Sequence, residues 1–195
     1  MAKEGIEWDM SSDYSPLIYH CRNDILHGDP TKGKKQIPWQ GRFKYDWQIW
    51  IDSDMIWTPE DIKRLISRNN LSIISGCYMR QDDNNYAFSI REMDGSFKAM
   101  TRQEVDPMGD PFEVSVTGFG FVAIKYGVVE SMEYPWFRPL VKEDEESFTF
   151  TSEDTGFCML AQQAGHVVVV DPSIQVGHEK SWILRPEIVG GHSPV

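Results

Sequence analysis

Residues 47–54 read Trp47-Gln48-Ile49-Trp50-Ile51-Asp52-Ser53-Asp54, and a well-marked helix start, Thr58-Pro59-Glu60-Asp61, follows them. The apolar run at 47–51 predicts a buried strand, and the helix after it predicts a crossover to a neighbouring strand. Two acids directly after a strand lie at its carboxyl end, where open α/β sheets bind ligands. Because carboxylate oxygens hold hard divalent cations, Asp52 and Asp54 are candidate metal ligands. The pair alone is weak support, since Asp-x-Asp also occurs by chance in many loops.

Alternating helix and strand patterns extend outward from this stretch. They predict helices at 17–26, 59–68 and 152–165, and strands at 71–77, 86–92, 96–100, 114–125 (interrupted around 117–120), 167–170 and 174–177. Asp94-Gly95 predicts a hairpin turn, whereas 101–113 shows no regular pattern. The order predicts an α/β protein in which helices flank a sheet. We expect a single domain over 1–184 and a loose, glycine- and proline-containing tail over 185–195.

The composition is that of a folded protein without a polyanion-binding character. The 195 residues are 41% hydrophobic and 12% aromatic, enough for one substantial core. The formal net charge of −11 argues against binding to duplex phosphates, which needs clustered Lys and Arg. Three scattered cysteines fit a reducing compartment, and no signal peptide or membrane-length apolar run is found. We therefore expect a soluble cytoplasmic protein.

Two later segments carry residues suited to acid–base chemistry and to phosphate binding. Glu153 and Asp154 lie in the first turn of the helix predicted at 152–165, where they either complement the helix dipole or provide a general base. His178 follows an apolar strand and is either a surface or core residue or a ligand of Mn²⁺. Lys180 can pair with a phosphate as a point charge.

Three further positions are ambiguous. Gly118, inside an apolar segment, marks either a simple bulge or a ligand close to the backbone. Trp136 is either an exposed ring that stacks on a sugar or a ring partly buried at the edge of the core. Arg80, after the strand at 71–77, either faces a phosphate or is a solvated loop residue.

Three segments taken together resemble the GT-A glycosyltransferases, especially the inverting family 2 group. Residues 45–54 are similar to the family's apolar strand followed by Asp-x-Asp. Residues 153–165 are similar to its Glu-Asp, apolar helix and Ala-Gly, and residues 169–178 to its strand, Asp-Pro, strand and His. Arg22-Asn23 also resembles a pair on the helix before the Asp-x-Asp strand. The resemblance covers roughly residues 17–182 in matching order and spacing.

The resemblance implies a GT-A-like, Rossmann-like mixed sheet and a metal-dependent sugar transfer. Asp54, with Asp52 and His178, would hold Mn²⁺ or Mg²⁺ on a nucleotide-diphosphate sugar, with a UDP-sugar favoured. Asp154 would deprotonate an acceptor hydroxyl, and Glu153 would orient or tune it. The implied donor contacts are Asp52, Arg22, Arg80, Gly118 and Lys180, and the implied acceptor contact is Trp136.

Departures from the family leave alternatives open. Only 51 residues precede Asp52, so we expect a truncated nucleotide-binding unit at the N-terminus. Gly156 stands where the family often has a further polar residue. The run 178–182 also resembles the ending of some retaining enzymes, so the expected inverting chemistry stays open, as do the acceptor and a homo-oligomeric state.

Two other functions compete with sugar transfer. A haloacid-dehalogenase-type phosphotransferase also uses Asp-x-Asp after a strand, but there the motif usually lies near the N-terminus and continues differently. A non-catalytic or hydrolytic nucleotide-sugar-binding protein on the same scaffold is the stronger alternative.

Overall fold

The structure is a computed structural model that describes residues 5–80, 84–143 and 148–180. The α-helices are α1 (Ile18–Ile25), α2 (Pro59–Ser67), α3 (Arg102–Val105) and α4 (Glu153–Gln163). The strands are β1 (Trp47–Ile51), β2 (Met55–Ile56), β3 (Ile73–Cys77), β4 (Asn85–Arg91), β5 (Phe97–Thr101), β6 (Phe112–Val114), β7 (Val116–Thr117), β8 (Phe121–Lys125), β9 (Val141–Glu143), β10 (Phe148–Phe150), β11 (Val168–Gln175) and β12 (Gly177–His178). The predicted tail at 185–195 lies outside the described residues.

A five-stranded mixed sheet with the order β1-β8-β3-β11-β6 forms the centre of the fold. β8 is antiparallel to both β1 and β3, and β3 is parallel to β11. β1, β3 and β11 therefore run in one direction, with their carboxyl ends at one edge of the sheet. β8 starts at this same edge. The predicted α/β class with a mixed sheet and helices is confirmed.

Side-chain alternation along the inner strands divides the core into two layers. On β8, Phe121 and Ala123 pack with the buried face of α2, whereas Val122 and Ile124 pack on the opposite side. Successive side chains of a strand point to opposite faces, so a fully apolar strand is buried on both. The second layer contains Phe157 of α4.

Helix α2 forms where the sequence predicts it because its start is strongly specified. Thr58 and Asp61 form a reciprocal capping box, and Pro59 occupies the first turn. Ile62 and Leu65 are its buried residues. The predicted helix at 59–68 and the strand before Asp52 are both confirmed.

Some local predictions need correction. Residues 102–105, predicted as irregular, form the short helix α3, because Thr101 and Glu104 make a second capping box. The strands predicted at 167–170 and 174–177 are one strand, β11, which continues through Asp171 and shifts its register there. The predicted hairpin around Asp94-Gly95 is confirmed by β4 and β5.

The sequence places Leu17, Ile18, Cys21 and Ile25 on one apolar side of the helix predicted at 17–26, whereas the structure buries a different side of α1. Leu17 and Ile18 are exposed, whereas Cys21, Arg22 and Asn23 are buried. Asn23 explains the difference, because its amide nitrogen donates to the Phe137 carbonyl (2.7 Å) and its oxygen accepts from the Trp136 N–H (3.0 Å). These bonds fix the polar side of α1 against the core. In the part of the chain that the structure describes, none of the helices has the length and apolar character needed to span a bilayer.

Candidate functional site

The loops at the carboxyl ends of β1 and β11 are joined to one another. The short strands β2 and β12 pair antiparallel, which sets His178 opposite Met55. The Glu179 N–H donates to the Asp54 carbonyl at 2.8 Å, and the Asp52 N–H donates to the Gly120 carbonyl at 3.0 Å. The Asp-Ser-Asp turn is thus fixed against both the start of β8 and the end of the chain's last described strand.

Two nitrogen-bearing side chains, those of His178 and Lys180, contact the Asp54 carboxylate. His178 Nε2 lies 3.0 Å and Lys180 Nζ 3.2 Å from the same oxygen, Oδ2. Burial raises the pKa of Asp54, but Lys180 and His178 together outweigh it, so the pKa lies below its usual value. The structure therefore keeps Asp54 ionised.

The orientation of His178 follows from its other ring nitrogen. Nδ1 lies 2.7 Å from the Met79 carbonyl oxygen, which only accepts, so Nδ1 carries a proton. Tyr78 packs edge-on against the imidazole, with ring centroids 5.4 Å apart. The ring thus presents Nε2 to Asp54. A backbone carbonyl on the far nitrogen is the usual partner of a metal-binding histidine.

Asp52 has a different partner. Arg22 NH2 donates to Asp52 Oδ1 at 3.3 Å, and Arg22 Nε lies 3.7 Å from Glu153 Oε1. Burial raises the pKa of Asp52; Arg22 lowers it, and the carboxylates of Asp54 and Asp154 raise it, leaving it above its usual value. Asp52 and Asp54 therefore differ in how strongly the fold favours their ionised forms.

The Arg22 guanidinium is held in an aromatic enclosure. The Arg22 side chain is only 5% exposed. Its guanidinium carbon, Cζ, lies 4.9 Å from the ring centroid of Phe119, 5.8 Å from that of Trp50 and 5.7 Å from that of Phe137. Nε and NH1 make no hydrogen bond to any described residue. Arg22 is thus buried beside Asp52 and Glu153, and in this structure it does not present an open surface to a donor.

Glu153 and Asp154 begin α4 beside this arginine. Burial raises the pKa of Glu153, and the neighbouring Asp154 raises it further, against a smaller opposing effect of Arg22. Asp154 Oδ1 accepts hydrogen bonds from the Ser152 hydroxyl and, at 2.6 Å, from the Thr155 N–H. The negative charge of Asp154 contributes to the raised pKa of Asp52. The structure thus brings the predicted acid pair to the predicted metal carboxylates.

Two glycines in this region are required by protein contacts. A Cβ at Gly118 would collide with the Tyr78 hydroxyl, and the Gly118 N–H donates to the Ala87 carbonyl at 2.7 Å. The close backbone approach that the sequence suggests for a donor sugar is therefore made by Tyr78. A Cβ at Gly156 would collide with the Arg138 carbonyl oxygen, so this position has no room for a polar side chain.

The remaining two predicted contacts are Trp136 and Arg80. Trp136 has 0% exposure and packs edge-on against Tyr134, with centroids 5.3 Å apart. A ring with no exposed surface cannot stack on a sugar in this structure, so its place as an acceptor contact is corrected. Arg80 is exposed, three residues beyond the end of β3.

Tyr78 and Met79 are the site residues that sequence reasoning missed. Tyr78 is buried beneath the site, and its hydroxyl accepts from the Gly120 N–H at 2.9 Å. Burial raises the pKa of Tyr78, which keeps the hydroxyl neutral. Their only sequence signal is that they follow β3 at the same sheet edge as Asp52.

The donor atoms are suited to a divalent cation, although the side chains are not gathered around one point. Among residues 5–80, 84–143 and 148–180, no group of three or more His, Cys, Asp or Glu side chains has metal-holding geometry. Asp54 Oδ2 and His178 Nε2 form a two-atom pair of oxygen and nitrogen, a combination that suits Mn²⁺. Lys180 shares the same oxygen.

Comparisons with known proteins give a fold and no family. No protein-family model matches this chain, and no curated protein sequence matches it. The crystal structure of A197 from STIV is similar, with a TM-score of 0.51 and 15% sequence identity. The match covers 96% of this chain and 88% of that one. At this identity the likeness concerns the fold alone.

Proposed function

We propose that this protein is a metal-dependent glycosyltransferase that moves a sugar from a nucleotide-diphosphate sugar to an acceptor hydroxyl. The observation that carries the proposal is the meeting of two separate groups at one sheet edge. Asp54 lies with His178 and Lys180, whereas Asp52 connects through Arg22 to Glu153. These residues are also the ones on which the sequence resemblance to GT-A glycosyltransferases rests.

The Asp54 group fits a diphosphate accompanied by a cation. Asp54, Asp52 and His178 offer carboxylate oxygens and an imidazole nitrogen, a donor set that suits Mn²⁺ and, through its oxygens, Mg²⁺. A bound cation would neutralise negative charge on the leaving diphosphate. Lys180 has a flexible side chain, and its ammonium can leave Asp54 and pair with a phosphate oxygen.

The α4 group fits activation of the acceptor. A general base must be ionised and within reach of the hydroxyl proton that it accepts. Two hydrogen bonds to Asp154 Oδ1 orient that carboxylate, and its second oxygen accepts no hydrogen bond from a described residue, so it can face the acceptor. Glu153, buried beside Arg22, is better suited to positioning than to proton transfer. In this reading, Asp154 takes the proton and Glu153 supports the arrangement.

A donor screen tests the proposal. The purified protein is incubated with UDP- and GDP-sugars in Mn²⁺ or in EDTA, and nucleotide release and donor binding are measured. We expect Mn²⁺-dependent binding or turnover of at least one donor, lost in Asp54→Ala. Asp110→Ala is the matched control, because Asp110 is an exposed carboxylate outside the site. Failure of every donor to bind or react would overturn the proposal.

The position of Lys180 favours a second candidate, a non-catalytic or hydrolytic protein that binds nucleotide sugars. Its ammonium already neutralises the Asp54 oxygen that a cation would use. Such a protein would bind a donor with little dependence on Mn²⁺, or would release nucleotide without an acceptor product. Two measurements separate the functions. The first compares donor binding in EDTA with donor binding in Mn²⁺, and the second compares the amount of glycosylated acceptor with the amount of nucleotide released.

A further inference from the structure

In one segment of this acidic protein all the charged residues are basic. Residues 30–45 contain five of the 19 Lys and Arg residues of the chain and none of its 30 Asp and Glu residues. We name 30–45 the basic segment; its charged residues are Lys32, Lys34, Lys35, Arg42 and Lys44. The proposed transferase chemistry does not use any of them.

The structure leaves much of this charge open to a partner. Lys35, Arg42 and Lys44 are exposed and form no ion pair with any described residue. Lys32 pairs with Asp29 at 3.4 Å and Lys34 with Glu133 at 3.8 Å, both as exposed pairs, which bind weakly in water. A local positive surface therefore persists on a chain of net charge −11.

Apolar side chains are exposed among the basic ones. Ile37 is 46% and Phe43 53% exposed. A shallow cavity is lined by Lys32, Lys35, Gln36, Ile37 and Gln40. Arg42 donates from NH2 to the Gln40 side-chain oxygen at 3.3 Å, which sets a third cation beside this cavity.

The segment is anchored to the core through Trp39. Its indole N–H donates to the Ile25 carbonyl at 2.8 Å, and its backbone N–H donates to the Leu26 carbonyl at 2.7 Å. The Phe43 ring packs edge-on against the Trp39 ring, with centroids 5.8 Å apart. Phe43 is thus fixed in an exposed position.

The basic segment and the candidate site lie at opposite ends of β1. The segment ends two residues before Trp47, where β1 begins, whereas Asp52 follows its last residue, Ile51. Five strand residues separate the two ends by roughly 17 Å. That separation exceeds the Debye length at physiological salt, about 8 Å, so a surface bound at one end is screened from the acids at the other.

We propose that the basic segment docks the protein on an anionic membrane surface, with Lys35, Arg42 and Lys44 facing lipid phosphates and Ile37 and Phe43 entering the headgroup region. The strength of reversible membrane attachment grows with the apolar area that is buried and with the attraction of basic residues to anionic lipids. A membrane touches only one face of the protein. A long nucleic acid would meet the surrounding acidic surface, and of the two exposed apolar side chains only Phe43 offers a ring on which a base stacks.

Co-sedimentation with lipid vesicles tests the proposal on the full chain. Vesicles of neutral phosphatidylcholine are compared with vesicles that also contain phosphatidylglycerol, at about 0.1 M and about 1 M salt. We expect binding to the anionic vesicles at low salt only. Arg42→Glu with Lys44→Glu should weaken the partition coefficient at least tenfold, since each basic residue near an anionic surface contributes about 1 kcal/mol.

Matched variants separate docking from general charge. Arg91→Glu with Lys98→Glu, on the β4–β5 hairpin, makes the same change in net charge and should bind vesicles nearly as the wild type does. Ile37→Ser with Phe43→Ser should weaken binding several-fold while retaining its salt dependence. Thermal melts confirm that each variant is folded.

The proposal is overturned if anionic vesicles do not bind at low salt, or if the two charge-reversal variants bind equally. Tighter binding to a short single-stranded RNA, measured by fluorescence polarisation, would assign the segment to nucleic acid instead. Competition by inorganic phosphate at millimolar concentration would identify a free-phosphate site. None of these outcomes depends on sugar transfer, so the two proposals fail separately.

Discussion

Asp52 and Asp54 are one residue apart, yet the fold treats them in opposite ways. Asp54 lies between Lys180 and His178, and its pKa is lowered. Burial and two nearby carboxylates raise the pKa of Asp52, although Arg22 is in contact with it. Adjacent carboxylates can therefore be given separate tasks, because their surroundings come from different parts of the chain.

Each acid belongs to a distinct group of residues. The Asp54 side comprises Asp54, His178 and Lys180, and it is rich in positive partners. The Asp52 side comprises Asp52, Arg22, Glu153 and Asp154, with three carboxylates around one buried guanidinium. In the proposed function the first side holds the leaving diphosphate, and the second activates the acceptor. The following variants test this division.

Asp154→Asn should have the largest effect, on transfer alone. Loss of the proton acceptor is expected to lower kcat by about 10²- to 10⁴-fold, whereas Mn²⁺-dependent donor binding should stay near the wild-type value. Initial rates with a reactive donor and isothermal titration with a non-transferable analogue measure the two quantities. Transfer at the wild-type rate would remove Asp154 from the proposed role.

Asp54→Ala should affect donor binding, the task proposed for the Asp54 side. It removes a carboxylate from the proposed cation site and is expected to weaken Mn²⁺-dependent donor binding by about 100-fold or more. Titration in Mn²⁺ and in EDTA measures the loss, with Asp110→Ala as control. Unchanged Mn²⁺ dependence would place the cation elsewhere.

Arg22→Met should destabilise the fold by about 2 kcal/mol, because it leaves Asp52 and Glu153 without their buried cation. Urea unfolding at neutral pH measures the change. Arg102→Met removes an exposed pair with Asp106 and should cost under about 0.5 kcal/mol. In Arg22→Met with Asp52→Asn, the change in the free energy of unfolding should be less destabilising than the sum of the two single changes. Strict additivity would show that the two residues do not interact.

Asp52→Asn and Asp54→Asn should change stability in opposite directions, and by the smallest amounts. A lowered folded pKa gives Asp54 a stabilising contribution that is present above its unfolded pKa of about 3.9 and lost as pH falls through the folded value. The raised folded pKa of Asp52 gives a penalty that appears as pH rises through that value. At neutral pH, Asp54→Asn should therefore be less stable than wild type and Asp52→Asn equal or more stable.

Both effects should vanish at pH values below the folded pKa of Asp54. Since each side chain is 43% exposed, solvent screening limits each effect to under about 1 kcal/mol. Thermal melts from pH 3 to pH 7 provide the comparison. Parallel profiles for the two variants would contradict the opposite pKa directions.

Much of the fold was predictable where the signal is local. Helix α2 has its capping box and proline, β1 its unbroken apolar run, and the β4–β5 hairpin its Asp94-Gly95 turn. α3 was missed because the helix has only four residues, so no apolar periodicity follows its capping box. The buried side of α1 was misjudged because side-chain amide bonds from Asn23, rather than hydrophobicity, fix its orientation.

The site was predicted in part for the same reason. Asp52, Asp54, Glu153, Asp154, His178 and Lys180 do lie together, and their positions at element ends pointed to this. Trp136 and Gly118 gave misleading signals, since an aromatic after proline and a glycine in a strand look alike whether they face ligand or core. Only packing distinguishes the two, and here Tyr134 and Tyr78 supply it.

The sequence by itself determined which residues carry charge at the ends of β1, α4 and β12, because periodicity and capping act over a few neighbouring positions. Tertiary structure alone decided which charges meet. Arg22 reaches Asp52 across 30 positions, and His178 reaches Asp54 across 124. The β2–β12 register and the burial of α1 set those pairs, and both depend on the packed sheet. The identity of each carboxylate is thus local, whereas its pKa and its task are properties of the fold.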